Sequence, residues 1–139
     1  MPFTFTPSEV YAEIQGTIKH MKTYECCLMS CIWMEALGLV DICNQIIQKR
    51  DATLDVEAKN INELLNNLRH LAEHWTSIVS DANDLALLIE IEPQIAEKRS
   101  NSHLSNEEKL AEFQRETFDR IVLRLRMELK SDFRQQNEL

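Results

Sequence analysis

Apolar residues recur at helical spacing along almost the whole chain. Three stretches show this pattern, residues 7–49, 54–92 and 105–135, and short polar segments separate them. Apolar positions that repeat every three to four residues predict amphipathic helices that each bury one face. Short connections between long helices favour antiparallel neighbours. We therefore predict an all-α fold: an elongated antiparallel bundle of three long helices within one domain, residues 1–139.

Two positions could interrupt these helices. Gly38 lies inside the first stretch, and glycine weakens a helix interior because it loses more freedom on folding than other residues. The segment 80–84 (Ser-Asp-Ala-Asn-Asp) lies inside the second stretch, and its short polar side chains compete for backbone hydrogen bonds. If the helices break near Gly38 and Ser80, the bundle has four or five helices.

The helix starts carry recognisable caps. Residues 6–9 (Thr-Pro-Ser-Glu) form the pattern of a capping box with proline at the first helical position. Phe5 and Val10 occupy the two positions of a hydrophobic staple. Thr53 is a plausible N-cap for the second stretch, and residues 105–108 (Ser-Asn-Glu-Glu) are a second capping box that opens the third.

The net charge of −8 is concentrated in the middle of the chain. Residues 51–98 carry three basic and ten acidic side chains, which gives seven of the eight excess negative charges. An acidic surface opposes binding to nucleic acid or anionic lipid, which depends on clustered Lys and Arg. We therefore expect neither nucleic acid nor a membrane as partner, but another protein with a basic surface. The acidic side chains expected to meet that partner are Glu63, Glu73, Asp81, Asp84 and Glu90.

The sequence also predicts a cytoplasmic protein without a cofactor. Its N-terminus lacks the basic region and the long apolar region of a secretory signal. No window contains 18 consecutive apolar residues, so no transmembrane helix is expected. Four cysteines lie within one predicted helix, at positions 26, 27, 31 and 43. Reduced thiols in a cytoplasm are the simplest interpretation, because disulfide geometry is rarely reached within one helix.

One short motif suggests catalysis. Residues 69–74 (Arg-His-Leu-Ala-Glu-His) resemble the R-x(4–6)-H signature of the HEPN superfamily of small helical domains. The resemblance implies a metal-independent ribonuclease, related to toxin or defence systems, in which two protomers build one site. Arg69 would then stabilise the phosphorane charge and His74 would transfer protons. The alternative interpretation is an exposed Arg and His on a bundle helix, because the two point to opposite flanks of a regular helix.

A second constellation has the residue types of a zinc site. Cys27 and Cys31 are spaced four apart on the first helix, and His70 and His74 are spaced four apart on the second. In an antiparallel hairpin the two pairs would lie at the same level, and two thiolates with two imidazoles suit tetrahedral zinc. The alternative is that both cysteines are small core residues and that His70 faces water.

These patterns leave two classes of function open. The favoured class is a non-enzymatic interaction protein: an adaptor, a regulatory or immunity protein, or a small subunit of a larger complex. Long three-helix proteins often complete their core by pairing with another copy, so a homo-oligomer is a reasonable hypothesis. The other class is the HEPN-like ribonuclease that uses Arg69 and His74.

Overall fold

The computed structural model describes residues 6–49, 51 and 53–137, with side chains as far as Asp132. Within this part of the chain every regular element is helical, which confirms the all-α prediction. A 3₁₀ turn joins the third and fourth helices, and a π-helical segment joins the fifth and sixth. The elements are α1 (Pro7–Met21), α2 (Tyr24–Ile47), α3 (Leu54–His70), the 3₁₀ turn (Leu71–His74), α4 (Trp75–Leu88), α5 (Asn106–Phe113), the π segment (Gln114–Phe118) and α6 (Asp119–Asn137).

The helices do not break at Gly38 or Ser80, the two positions where the sequence left a break open. Helix α2 continues through Gly38, and α4 continues through Ser80. A single glycine costs a helix only about 1 kcal/mol, and the packing of α2 against α3 and α4 outweighs that cost. Around Ser80 the side chains of Ser80, Asp81 and Asp84 face water, whereas Ala82 and Ala86 are fully buried. Burial of one face therefore holds α4 together despite its polar residues.

The first predicted helix is instead interrupted at Thr23. The Thr23 hydroxyl donates to the carbonyl of His20 at 2.9 Å, at the end of α1. The same oxygen accepts the backbone N–H of Cys26 at 3.3 Å, in the first turn of α2. One side chain thus helps to close one helix and caps the next, which splits the expected helix 7–49 into α1 and α2.

The 3₁₀ turn keeps an apolar seam facing the core. In the second stretch an apolar residue recurs every seven positions and forms a seam along the helix. On a straight α-helix such a seam drifts around the helix axis by about 20° per repeat. Over four repeats the rotation reaches about 80°, and four residues at 3₁₀ pitch recover about that angle. All five members of the seam contribute to the core: Ile61, Leu68, Trp75, Ala82 and Ile89.

Helix α4 ends at Leu88, before the predicted limit of residue 92, in a Schellman motif. The N–H of Ile91 donates to the Ala86 carbonyl at 2.9 Å, and the N–H of Glu90 donates to the Leu87 carbonyl at 3.2 Å. This motif requires left-handed backbone at the residue after the C-cap, a position that favours glycine. Glu90 occupies it with a φ of 61°.

The π segment brings two aromatic side chains onto Trp75. The ring centroids of Phe113 and Phe118 lie 6.3 Å and 5.1 Å from that of Trp75. Residues five apart point in different directions on an α-helix, whereas the wider π turn brings them onto nearly one face. Phe118 is fully buried as a result.

The predicted caps are largely confirmed. Thr6 forms the full capping box with Glu9. The predicted staple between Phe5 and Val10 is not described, because Phe5 lies outside the described residues. The Thr53 hydroxyl accepts the N–H of Val56. Ser105 also caps its helix, but the Glu108 carboxylate accepts from the Ser105 hydroxyl at 3.1 Å instead of completing a capping box.

The core forms where α2 packs against α3 and α4 and where α3 packs against α6. The connector between α4 and α5 is tied to α2 by a hydrogen bond and is held together internally by another. The Ala96 N–H donates to the Glu25 carboxylate on α2 at 2.8 Å, and the buried side chain of Asn101 accepts the Lys98 N–H. The largest fully buried side chains are Phe118, Leu28, Ile32, Leu68, Leu71 and Ile78.

Candidate functional site

Helix α1 presents an apolar stripe to water. None of its fifteen residues, all within the described part of the chain, is buried. Fifteen residues is about the shortest length at which an isolated helix persists in water, so helices of this size normally depend on packing. The stripe, called the α1 stripe below, consists of Val10 (40% exposed), Ile14 (51%), Ile18 (40%) and Met21 (58%).

An apolar groove of about 520 Å³ runs between α2 and α4. Met34 and Ile42 line it and remain 74% and 59% exposed. Apart from the adjoining backbone of α2 itself, no atom lies within 4 Å of the place where a Cβ on Gly38 would be, so the groove is open there. The lining residues of this α2–α4 groove are Cys31, Met34, Glu35, Gly38, Leu39, Ile42, Asp81 and Leu85.

Two carboxylates, Glu35 and Asp81, lie near one end of the α2–α4 groove. Burial, together with the charges of Asp81, Cys27 and Glu35, raises the pKa of the Cys31 thiol above its ordinary value. The thiol is therefore neutral at physiological pH. The groove combines an apolar floor with negative charge at its Cys31 end.

The five acidic residues predicted to meet a partner are all exposed. Asp81 lines the α2–α4 groove, and Asp84 follows three residues later on α4. Glu63 lines a different groove, between α3 and α6, and Glu73 lies 3.5 Å from Nδ1 of His70. The structure therefore places Asp81 in the α2–α4 groove and distributes Glu63 and Glu73 elsewhere.

The groove between α3 and α6 is basic, in contrast to the chain as a whole. Arg126 is its most buried cation, and its Nε has no hydrogen-bond partner within the described residues. The charged side chains that line this groove are Lys59, Glu63, Arg69, Arg126 and Lys130.

Arg69 and His74 are both exposed, and the basic groove that Arg69 lines does not include His74. His74 ends the 3₁₀ turn, which changes its direction relative to a regular helix. Within one copy of the chain, this groove therefore does not unite the two residues of the HEPN-like motif.

The cysteines and histidines of the possible zinc site lie in different environments. Cys27 and Cys31 are buried, whereas His70 and His74 are exposed. Burial is the main cause of the raised pKa of both thiols, which disfavours the thiolate that zinc requires. Among the residues that the structure describes, no group of three His, Cys, Asp or Glu side chains could hold a metal ion.

Helix α2 is long and apolar enough to cross a membrane by length and composition alone. The sequence argument missed this because it counted consecutive apolar residues, whereas the mean hydropathy of an 18-residue window of α2 reaches 1.7. The core helix of a soluble protein meets the same criterion, and α2 supplies buried residues from Tyr24 to Cys43.

Sequence reasoning missed the two exposed apolar surfaces, although a signal for the groove was present. Residues 26–34 are apolar nearly all round, a pattern that predicts neighbours on several sides of the helix. The structure covers the side of Leu28 and Ile32 but leaves Met34 exposed. An excess of apolar residues around one helix was therefore the signal that part of its apolar surface stays exposed.

Comparisons with known proteins do not identify a family. Neither a scan against protein-family models nor searches of curated proteins and of solved structures give a match to this chain. The HEPN resemblance therefore remains a prediction that rests on Arg69 and His74.

Proposed function

We propose that the protein is a non-enzymatic interaction module, such as an adaptor, a regulatory or immunity protein, or a small subunit of a larger complex. The observation that carries this proposal is the exposed apolar α2–α4 groove with Glu35 and Asp81 beside it. Grooves of this kind bind amphipathic helices whose apolar anchors recur every three to four residues. The elongated antiparallel arrangement expected from the sequence would leave this groove accessible along its length.

The partner of the groove is an amphipathic helix with Lys or Arg beside its apolar stripe. Apolar anchors such as a Leu or Phe would fill the space above Gly38, and desolvated anchors carry most of the energy of an interface. Basic side chains would meet Glu35 and Asp81. Such complementary charges raise the association rate and select the partner more than they raise the final affinity.

A photo-reactive amino acid in place of Met34 tests the proposal. We expect it to crosslink, in its own cells, to a helix that mass spectrometry identifies as amphipathic and basic. The matched control carries the same probe at Leu87, which is 73% exposed but does not line the groove. With the purified partner, Asp81→Lys should slow association at low salt.

Two results would contradict the proposal. One is a yield of crosslinked protein at Met34 no higher than at Leu87. The other is an association rate that Asp81→Lys leaves unchanged at low salt.

A further inference from the structure

The α1 stripe and the α2–α4 groove are two solvent-exposed apolar surfaces on one chain. The hydrogen bonds of Thr23 to His20 and to Cys26 fix the junction between α1 and α2. With this junction in place, the side chains of Ile14 and Ile18 stay exposed instead of packing on their own chain. Among the described residues nothing covers the stripe, so a partner from another molecule would cover it.

The stripe and the groove match in length. Val10 and Met21, the ends of the stripe, are eleven residues apart, and so are Cys31 and Ile42 on the α2 wall of the groove. At a rise of 1.5 Å per residue, each spans about 16 Å. The open space above Gly38 lies between Cys31 and Ile42, where a large side chain of a docked helix would need room.

The charges of the two surfaces also match and set a direction. Basic residues close α1, with Lys19 and His20 in its last turn and Lys22 at its C-cap. Glu35 and Asp81 lie near the Cys31 end of the groove. An α1 helix that runs antiparallel to α2 would place its basic end at these carboxylates.

We propose that two copies of the chain associate by placing the α1 of each copy in the α2–α4 groove of the other. The contact is reciprocal, so one two-fold dimer covers both stripes and both grooves. This inference rests on the proposed function, because it names a second copy as an occupant of the same groove. Any other partner helix then competes with the α1 of the second copy.

Sedimentation of the full chain tests the dimer. We expect a dimer at micromolar concentrations for the wild type, and association weakened about a hundredfold by Ile14→Asp or by Met34→Asp, because each buries an unpaired carboxylate. The matched controls are Ala12→Asp, on the opposite side of α1, and Leu87→Asp, outside the groove. Both controls should dimerise as the wild type does.

Mixing the two weakened variants tests the geometry. Neither variant alone can form a stripe–groove contact with two intact surfaces. In a mixture, the intact α1 of Met34→Asp can enter the intact groove of Ile14→Asp. Heterodimers should therefore form, held by one of the two stripe–groove contacts with both of its surfaces intact. Variants labelled by different masses and measured by native mass spectrometry would show them.

Three results would overturn the inference: a wild type that stays monomeric at high concentration, a dimer that neither substitution weakens, or two weakened variants that do not pair when mixed. The last result would indicate separate stripe–stripe and groove–groove contacts. If the dimer fails but the crosslink at Met34 to another protein persists, the proposed function survives. If the dimer forms but Met34 captures only a second copy, the groove binds a helix as proposed, and the part of the proposal that names another protein fails.

Discussion

The hydroxyl of Tyr24 donates a hydrogen bond of 2.6 Å to Oδ1 of Asn83, and this bond ties the first turn of α2 to the middle of α4. Tyr24 is only 2% exposed, and burial is the main cause of a pKa above its ordinary value. A polar group in such a position needs its partner, because an unpaired buried donor or acceptor is costly. The pair therefore helps to fix α4 against α2, the two helices that form the groove.

Replacement of Tyr24 by Phe should lower the free energy of unfolding by about 1 kcal/mol, because Asn83 loses its donor while the ring remains packed. Urea denaturation followed by circular dichroism would measure the loss. Tyr11→Phe is the matched control, since Tyr11 is 65% exposed. Equal stability of Tyr24→Phe and Tyr11→Phe would show that the Tyr24–Asn83 bond contributes nothing.

The all-helical fold and three of the helix caps were predictable because they depend on neighbouring residues, whereas the interruption at Thr23 was not predicted. Thr6, Thr53 and Ser105 each cap a helix within three residues, and the structure confirms all three. The Tyr24–Asn83 bond joins residues 59 positions apart. No local sequence pattern predicts such a pair, because its geometry depends on how two helices pack.

Stability should decrease at alkaline pH. Burial is the main cause of the raised pKa of Tyr24 and of the thiols of Cys27, Cys31 and Cys43. As pH rises past about 9, the unfolded chain loses these protons first and binds fewer than the folded chain, so the free energy of unfolding falls. The contribution is complete below the unfolded pKa values and is lost as pH rises through the folded ones.

Urea denaturation at a series of pH values would measure this decrease. Each thiol contributes at most about 1.4 kcal/mol per pH unit. Cys43→Ala should therefore give a shallower decrease than the wild type, whatever it does to stability at neutral pH. A free energy of unfolding that is constant between about pH 8 and pH 10.5 would contradict the prediction.

Glu90→Gly should stabilise the protein by about 1 kcal/mol. Glu90 has a φ of 61°, and a left-handed backbone costs a residue with a Cβ about 1–2 kcal/mol. Glycine avoids this strain, but it loses more conformational entropy on folding, which offsets part of the gain. Thermal or urea denaturation would measure the gain. Glu92→Gly removes a nearby exposed acidic side chain outside the Schellman motif, and it should not stabilise. If Glu92→Gly gave the same gain, relief of negative charge would be the cause.

The site was less predictable than the fold because the exposure of a side chain depends on whether another helix packs against it. The acidic character of the surface follows from composition, and Asp81 does line the α2–α4 groove. The exposure of Ile14 and Met34 does not follow, because a periodic apolar residue normally indicates burial. Only the packing shows which apolar faces have no neighbour.

Arg69→Ala and His74→Ala test the ribonuclease alternative. We expect the wild type and both variants to leave single-stranded RNA equally intact, for two reasons. Within one copy, the groove that Arg69 lines does not contain His74, and the α2–α4 groove of the proposed dimer is lined by neither residue. Cleavage would be followed on gels with purified protein, together with growth of cells that express each form. RNA cleavage and growth arrest that both substitutions abolish would establish the ribonuclease and end the non-enzymatic proposal.

Gly38→Ala and Gly16→Ala form a matched pair that asks whether α1 unfolds with the rest of the protein. Apart from the adjoining backbone of its own helix, neither new methyl group would meet an atom within 4 Å, so both changes should strengthen their own helix by about 0.5–1 kcal/mol. Gly38→Ala should add this to the global free energy of unfolding, because α2 is part of the core. Gly16→Ala should slow amide hydrogen exchange in α1 but leave the global free energy of unfolding of the monomer nearly unchanged. The reason is that α1 buries no residue and can unfold locally while the core stays folded. An equal global gain from both substitutions, measured at concentrations that exclude dimers, would show that α1 unfolds together with the core and is held by its own chain.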